Sequence, residues 1–338
     1  MAETQYDVTG IGNAIVDILT QADDAFLSDH GLEKGTMTLI DTESAAKIYG
    51  DMGSAVEVSG GSAANTIAGL ASLGGRGAYI GKIADDQLGQ AFAHDIRAAG
   101  VAFETPPLSA SSGATTARCI ILVTPDAERT MQTYLGACVE LGPDDVSDDL
   151  IAASEVVYLE GYLYDPPRAK EAFIKAAKTA KAAGRKVALS LSDPFCVERH
   201  RDAFIELVDN HVNILFANED EITSLYQAKD FDAALQQVRG YCDIAALTRG
   251  VKGSVVVAGD AVHVVDAEPV AKVVDTTGAG DSYAAGFLFG LSRGDDLATC
   301  ARIGGILAAE IISHYGARSA TNLAERVAQK LGQICKAG

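Results

Sequence analysis

Residues 275–291 read DTTGAGDSYAAGFLFGL. Two carboxylates, Asp275 and Asp281, flank a turn with almost no side chain in it, and a run of small and apolar residues follows. The preceding KVVD (272–275) reads as a strand, and a helix is expected from about Ala279. Successive N–H groups in such a turn point into one small volume, and the helix dipole adds positive potential there. The turn is therefore an anion hole built from backbone. Asp281 falls in the first helical turn, where its carboxylate reaches the same volume. A carboxylate beside an anion hole can orient or deprotonate a hydroxyl that attacks a phosphoryl group. An aspartate that only caps its helix has the same sequence signature, and the turn alone does not decide between the two.

Working outward, strand-like apolar runs alternate with helical patterns. The runs are YDVTGIG, RGAYIGKI, EVVYLEG, KVALSLS, VNILFA, IAALTRG and SVVVAG; helical stretches include SAANTIAGLASLG, QLGQAFAHDIRAAG and RAKEAFIKAAKTAKAAG. Continuous apolar strands between amphipathic helices predict an α/β fold, a doubly wound, mostly parallel sheet covered on both faces. The chain is expected to close with two helices, at about 279–292 and 295–313. Two regions break the rhythm. Residues 14–59 hold TMTLID and AVEVSG, and residues 107–136 hold ATTARCIILVTP and ERTMQTYL around a PDAE turn. Their alternation predicts half-exposed antiparallel strands. They are expected to form a small β-sheet lid over a core made of 1–13, 60–106 and 137–338.

The chain has 338 residues, 48% of them hydrophobic, enough for one large α/β domain with a small appendage. Its net charge of −19 disfavours nucleic acid and anionic membranes as partners. The start, MAETQYDVTG, lacks the pattern of a signal peptide, and no apolar run approaches membrane-spanning length, so a cytoplasmic location is expected. The six cysteines are scattered without a CxxC pair and read as reduced, buried fillers. The histidines form no zinc-type pair. No GxxxxGK[ST] is present, and GIGNAI (10–15) lacks the third glycine of a dinucleotide fingerprint.

Four motifs in order carry a resemblance. DTTGAGDSYAAGFLFGL is similar to the C-terminal motif of the ribokinase-like (PfkB-type) carbohydrate and nucleoside kinases. GGSAANTIAGLASLG (60–74) resembles that family's N-terminal glycine motif. ANEDEI (217–222) holds its NxxE element as Asn218 and Glu221, and LTRGVKGSVVV (247–257) resembles its strand–turn–strand at the nucleotide. The match runs from about residue 6 to 318. The resemblance implies Asp281 as general base on the acceptor hydroxyl, with N–H groups of Gly278, Ala279 and Gly280 on the transferring phosphoryl. It implies ATP as donor, with Thr248, Gly250 and Gly253 at the nucleotide rim and Asn218 on phosphate or the metal's water shell. Glu221 would hold Mg²⁺ through water. Asp275 and Thr277 match positions that ligate a monovalent cation in potassium-activated relatives. K⁺ is left open, because Ala320 stands where a serine is often found.

On the acceptor side, Asn13, Asp17, Gly60, Gly61 and Asn65 match the sugar-holding positions, and a carboxylate such as Asp17 suits two vicinal hydroxyls. The motifs are closest in form to the adenosine kinase branch, through GNAIVDIL, DAERTM and EGYL. That implies an apolar purine slot from Ile15, Met131 and Tyr162, and Arg129 closing over phosphate. The expected activity is ATP-dependent phosphorylation of the adenosine 5′-hydroxyl, with a kinase of a free sugar such as ribose or fructose as the alternative. A nucleotide or sugar sensor without turnover and a dinucleotide-binding oxidoreductase are the readings from other classes. Intact Asp281, Gly280 and Glu221 count against the sensor, and the missing third glycine against the oxidoreductase. The partner is a small molecule; monomer and homodimer are both open.

Overall fold

The computed structural model describes residues 4–126, 128–319 and 321–337. The expected apolar runs become the strands of a nine-stranded sheet. Its order runs Ala261–Val265, Ser254–Ala258, Ile244–Thr248, Ile214–Asn218, Lys186–Ser190, Ser154–Glu160, Tyr6–Ile11, Gly77–Ile80, Ala102–Phe103. All neighbours are parallel except at the Ala261–Val265 end, where a hairpin adds two antiparallel strands. Alternate residues of the central strands enter opposite layers. Val156, Tyr158, Ala188 and Phe216 pack into one hydrophobic cluster, and Val157, Leu159, Leu189 and Leu215 into another. Burial on both faces is why these strands read as unbroken apolar runs.

Chain order reverses at Tyr6–Ile11, which has the later strand Ser154–Glu160 on one side and Gly77–Ile80 on the other. The carboxyl ends of strands at such a switch point form a crevice. Here the chain leaves the large sheet through Gly12–Ala14 and enters a second sheet of five strands: Met37–Leu39, Arg129–Tyr134, Ala117–Val123, Ile15–Gln21, Ala55–Gly60. The segments set apart by their alternation thus share one small sheet, and the antiparallel expectation holds for Ile15–Gln21 with Ala55–Gly60 and for the hairpin Ala117–Val123 with Arg129–Tyr134, but not for the other two pairs. Ile15–Gln21 runs parallel to Ala117–Val123, and Met37–Leu39 parallel to Arg129–Tyr134. The Asp24–Asp29 and Thr42–Asp51 helices supply Leu27 and Ile48 to a cluster with Ile120 and Leu122. This covers one face. The other carries Ile15 and Asp17, Cys119 beside Asp17, Ile121 opposite Met131, and Arg129 opposite Val123.

Three further expectations are corrected. KVVD is not a strand; Val274 N–H donates to the Ile312 carbonyl at 2.8 Å, past the end of helix Leu297–Ile311, so the segment is tied to a helix end instead of a sheet edge. Ile15–Gln21, which is not among the strand-like runs named from the sequence, is a strand. The helices at Ala279–Ser292 and Leu297–Ile311 are followed by another, Leu323–Ala337. No helix among the described residues is long and apolar enough to cross a membrane. Cys119, Cys138, Cys196 and Cys300 are buried and Cys242 partly so, all as free thiols.

Gly61 returns the chain from the small sheet into helix Ser62–Ser72 with φ of 95°, a left-handed conformation. A Cβ there would lie 2.1 Å from the Asn13 carbonyl oxygen. Gly61→Ala is expected to lower stability by roughly 2–4 kcal/mol, from backbone strain plus the clash. Urea denaturation checks this, and an unchanged midpoint would show that the crossing relaxes freely.

Candidate active site

Helices Ser62–Ser72 and Ala279–Ser292 both start in the crevice, at Gly61 and Gly278, and neither has a side-chain cap. Gly278 has φ of 77°, and a Cβ on it would sit 2.6 Å from the Ala317 methyl. A Cβ on Gly280 would meet no protein atom within 4 Å, so this turn opens onto free space. The Ala279 N–H donates to the Thr276 carbonyl at 3.2 Å. Asp281 accepts from Ser62 Oγ at 2.6 Å on one oxygen and from Asn65 Nδ2 at 3.4 Å on the other. Burial drives its carboxyl up to about 6, against these two hydrogen bonds. Asp281 is therefore held by the opposite helix and does not cap its own.

Asp17 comes to the same crevice from the small sheet. Its Oδ2 lies 2.3 Å from where a Gly60 Cβ would start, so Gly60 lets the carboxylate lie against backbone. Burial pushes Asp17 up to about 7; Arg318 opposes this and the Asp281 charge adds to it. Asn13 is buried, and its amide is committed: Nδ2 donates to Glu160 Oε1 at 2.7 Å, and its backbone N–H to the same oxygen at 3.2 Å. Glu160 Oε2 accepts from Ala63 N–H at 2.7 Å. Glu160 is raised to about 7, first by burial. Sequence reasoning did not single out Glu160 or Arg318. Glu160 ends the apolar run EVVYLEG, and a carboxylate at the end of a buried strand was the available signal. Arg318 had none, because its partners lie more than 250 residues away: Nε donates to Asn65 Oδ1 at 3.2 Å and Nη1 to Ser59 Oγ at 2.6 Å.

Arg129 reaches from the small sheet to the segment ahead of helix Ala279–Ser292. Its Nη1 donates to Thr277 Oγ1 at 2.9 Å, its Nη2 stands 2.6 Å from Asp275 Oδ2, and its guanidinium lies over the Tyr315 ring. Asp275 also accepts from Thr277 N–H and Oγ1 at 3.0 and 2.8 Å, and from Gly316 N–H at 2.8 Å. Both oxygens are engaged, and the Arg129 guanidinium contacts the same two residues, Asp275 and Thr277, that the sequence offers to a monovalent ion. Ala320 lies outside the described residues.

On the other flank, Asn218 and Glu221 form a reciprocal cap on helix Glu219–Tyr226. Glu221 N–H donates to Asn218 Oδ1 at 2.8 Å, Asn218 N–H to Glu221 Oε2 at 2.9 Å, and Asn218 Nδ2 to Glu221 Oε1 at 2.6 Å. Glu221 is raised to about 7 by burial, with the Asp193 and Asp220 charges adding to it. A buried carboxylate facing other acidic groups suits a hydrated divalent cation. No cluster of three or more metal-ligating side chains occurs among the described residues, so such an ion would keep most of its water. Thr248 pairs with Asn218 at the strand ends, and Gly250 and Gly253 turn the chain just beyond it. Tyr162 follows strand Ser154–Glu160. Its ring is 37% exposed, and burial and the Asp193, Asp281, Glu221 and Glu160 charges hold its hydroxyl far above the usual range. Ile15 and Met131 belong to strands of the small sheet, and Tyr162 to the short 3-10 helix Gly161–Tyr164 that follows a strand of the large one.

Residues 36–324 match the pfkB family carbohydrate kinases. The chain belongs to this family. It is 54% identical to the adenosine kinase from Sinorhizobium meliloti, over 97% of this chain and 100% of that one, with a TM-score of 0.89. A probable sugar kinase from Rhizobium etli CFN 42 is 49% identical over 97% of this chain and 99% of its own, with a TM-score of 0.90. The adenosine kinase of Saccharomyces cerevisiae is 28% identical over 329 residues, 90% of this chain and 94% of its own. The chain is thus a phosphotransferase with an alcohol group as acceptor, and membership of a kinase family implies use of ATP, typically with Mg²⁺.

Asp17, Glu160, Glu221 and Asp281 all have folded pKa values above their ordinary 3.8 or 4.5. The folded chain therefore holds more protons than the unfolded one between about pH 4 and 7. Their contribution to stability is full below the unfolded values and is lost as pH rises through about 6–7. Asp17→Asn is expected to raise the melting temperature, and by more at pH 8 than at pH 5. Thermal melts at both values check this; equal gains would show that ionisation of Asp17 is not the source.

Proposed function

We propose that the chain transfers the γ-phosphoryl group of ATP to the 5′-hydroxyl of adenosine, giving AMP. The observation that carries this reading is Asp281, raised to about 6 and facing an uncapped helix start, with Asp17 in the same crevice. The 54% identity to a protein named adenosine kinase supports the acceptor. In this reading Asp17, Gly60, Gly61 and Asn65 hold the ribose, and Asn13 fixes the crossing beneath it. Ile15, Met131 and Tyr162 line the base. Asp281 takes the proton of the attacking hydroxyl, a role for which a pKa just below neutrality is suited. The N–H groups of Gly278, Ala279 and Gly280 receive the phosphoryl oxygens, the Ala279 N–H exchanging its 3.2 Å bond to Thr276. Arg129 adds positive charge from the small sheet, which acts as the lid. Thr248, Gly250 and Gly253 border the nucleotide, and Asn218 lies toward its phosphates. A magnesium ion, held by Glu221 through water, would neutralise donor phosphate charge. Asp275 and Thr277 are the residues that would hold a potassium ion, in competition with Arg129. The Rhizobium etli neighbour's name favours a free sugar as the second reading.

With ATP and Mg²⁺, kcat/KM for adenosine is expected to exceed that for inosine, ribose and fructose by at least about 100-fold. Ribose or fructose equalling adenosine would overturn the assignment. Asp281→Asn keeps the shape and removes the base, so kcat should fall roughly 10²–10⁴-fold with KM for the acceptor little changed. The wild-type profile of kcat/KM should lose activity as pH falls through about 6, where Asp281 gains a proton. A folded Asp281→Asn enzyme with near wild-type kcat would remove the base role.

A further inference from the structure

Arg318 lies at the junction of the two sheets and belongs to none of the roles above. A guanidinium has five N–H donors in a fixed fork. Nε is used on Asn65, in the core helix, and Nη1 on Ser59, in the small-sheet strand Ala55–Gly60. Nη2 is shielded from solvent and has no hydrogen-bond partner among the described residues. A buried guanidinium nitrogen without an acceptor is costly, so the position calls for an oxygen that the protein does not supply.

The complementary deficit lies beside it. Asp17 faces the same space, packed against Gly60, and no donor among the described residues reaches its carboxylate. Asp17 and Arg318 feel each other's charge, each appearing among the other's influences, yet they form no ion pair. An anion lacking a donor and a cation lacking an acceptor are thus held apart across a gap. One hydroxyl donating to Asp17, with the adjacent oxygen accepting from Arg318, would satisfy both.

We propose that Arg318 is a specificity-determining residue of the acceptor pocket, donating from Nη2 to one oxygen of a vicinal diol whose other hydroxyl donates to Asp17. This deepens the acceptor reading above and rests on it. The two side chains divide the diol between them: the carboxylate takes the donor and the guanidinium the acceptor. Ser59 and Asn65 fix the fork's direction, so lysine, with one rotatable ammonium, is a poor replacement.

The test compares adenosine, 2′-deoxyadenosine and 3′-deoxyadenosine in the wild type, Arg318→Met and Arg318→Lys, with ATP and Mg²⁺. The wild type should prefer adenosine over the analogue lacking the Arg318-facing oxygen by roughly 10- to 100-fold in kcat/KM. Arg318→Met should raise KM for adenosine by a similar factor and leave that analogue nearly unchanged, so the preference collapses toward one. Arg318→Lys should fall between, and KM for ATP should not move. Equal loss for all three acceptors, or an unchanged preference in a folded variant, would overturn the proposal. If Arg318→Met does not fold, the preference ratio of Arg318→Lys decides by the same criterion. If the wild type takes a free sugar and ignores adenosine, the acceptor reading fails by itself; ribose against 2-deoxyribose and 3-deoxyribose then applies the same ratio to Arg318.

Discussion

The buried carboxylate of Glu160 is the joint on which the crevice depends. It ends one strand at the switch point and takes N–H groups from Asn13, just past the neighbouring strand, and from Ala63, in the first turn of a helix. The Asn13 amide adds a third donor at 2.7 Å. Three pieces of chain distant in sequence are thereby fixed around one anion. A charged acceptor with several donors can hold such a crossing where a neutral side chain would leave N–H groups unmet. The outgoing link through Gly12–Ala14 and the return through Gly61 both pass this point. The attitude of the small sheet to the large one is therefore set here.

The fold was legible wherever a strand is buried on both faces. VNILFA and KVALSLS read as strands because two cores draw on alternate residues of each. KVVD misled, because β-branched residues indicate extended chain but not a partner, and Val274 finds a helix end. The small sheet was legible as a unit through its alternation. Its parallel pairs were not, because they join segments such as Ile15–Gln21 and Ala117–Val123 that only the three-dimensional crossing brings together.

The site divides along a similar line. DTTGAGD and NEDE carry their chemistry within seven residues, so local pattern reached Asp281, Asn218 and Glu221. The Asn218–Glu221 cap orients the buried Glu221 carboxylate at the start of its helix. Glu160 and Arg318 escaped notice because their meaning comes from contacts far along the chain. The sequence offers Asp275 to a monovalent ion; in the structure its partners are Arg129, Thr277 and Gly316.

The contact of Arg129 with Asp275 makes a guanidinium from the small sheet the counter-ion of a carboxylate in the segment that leads into helix Ala279–Ser292. A polyanion drawn to Arg129 would have to compete with Asp275 for that cation, and its affinity would be lower by whatever the internal pair is worth. If Arg129 turned to the newcomer, Asp275 would be left with only the neutral donors of Thr277 and Gly316. An internal ion pair of this kind acts as a rheostat on anion binding, and its setting is fixed by a contact outside the reacting groups.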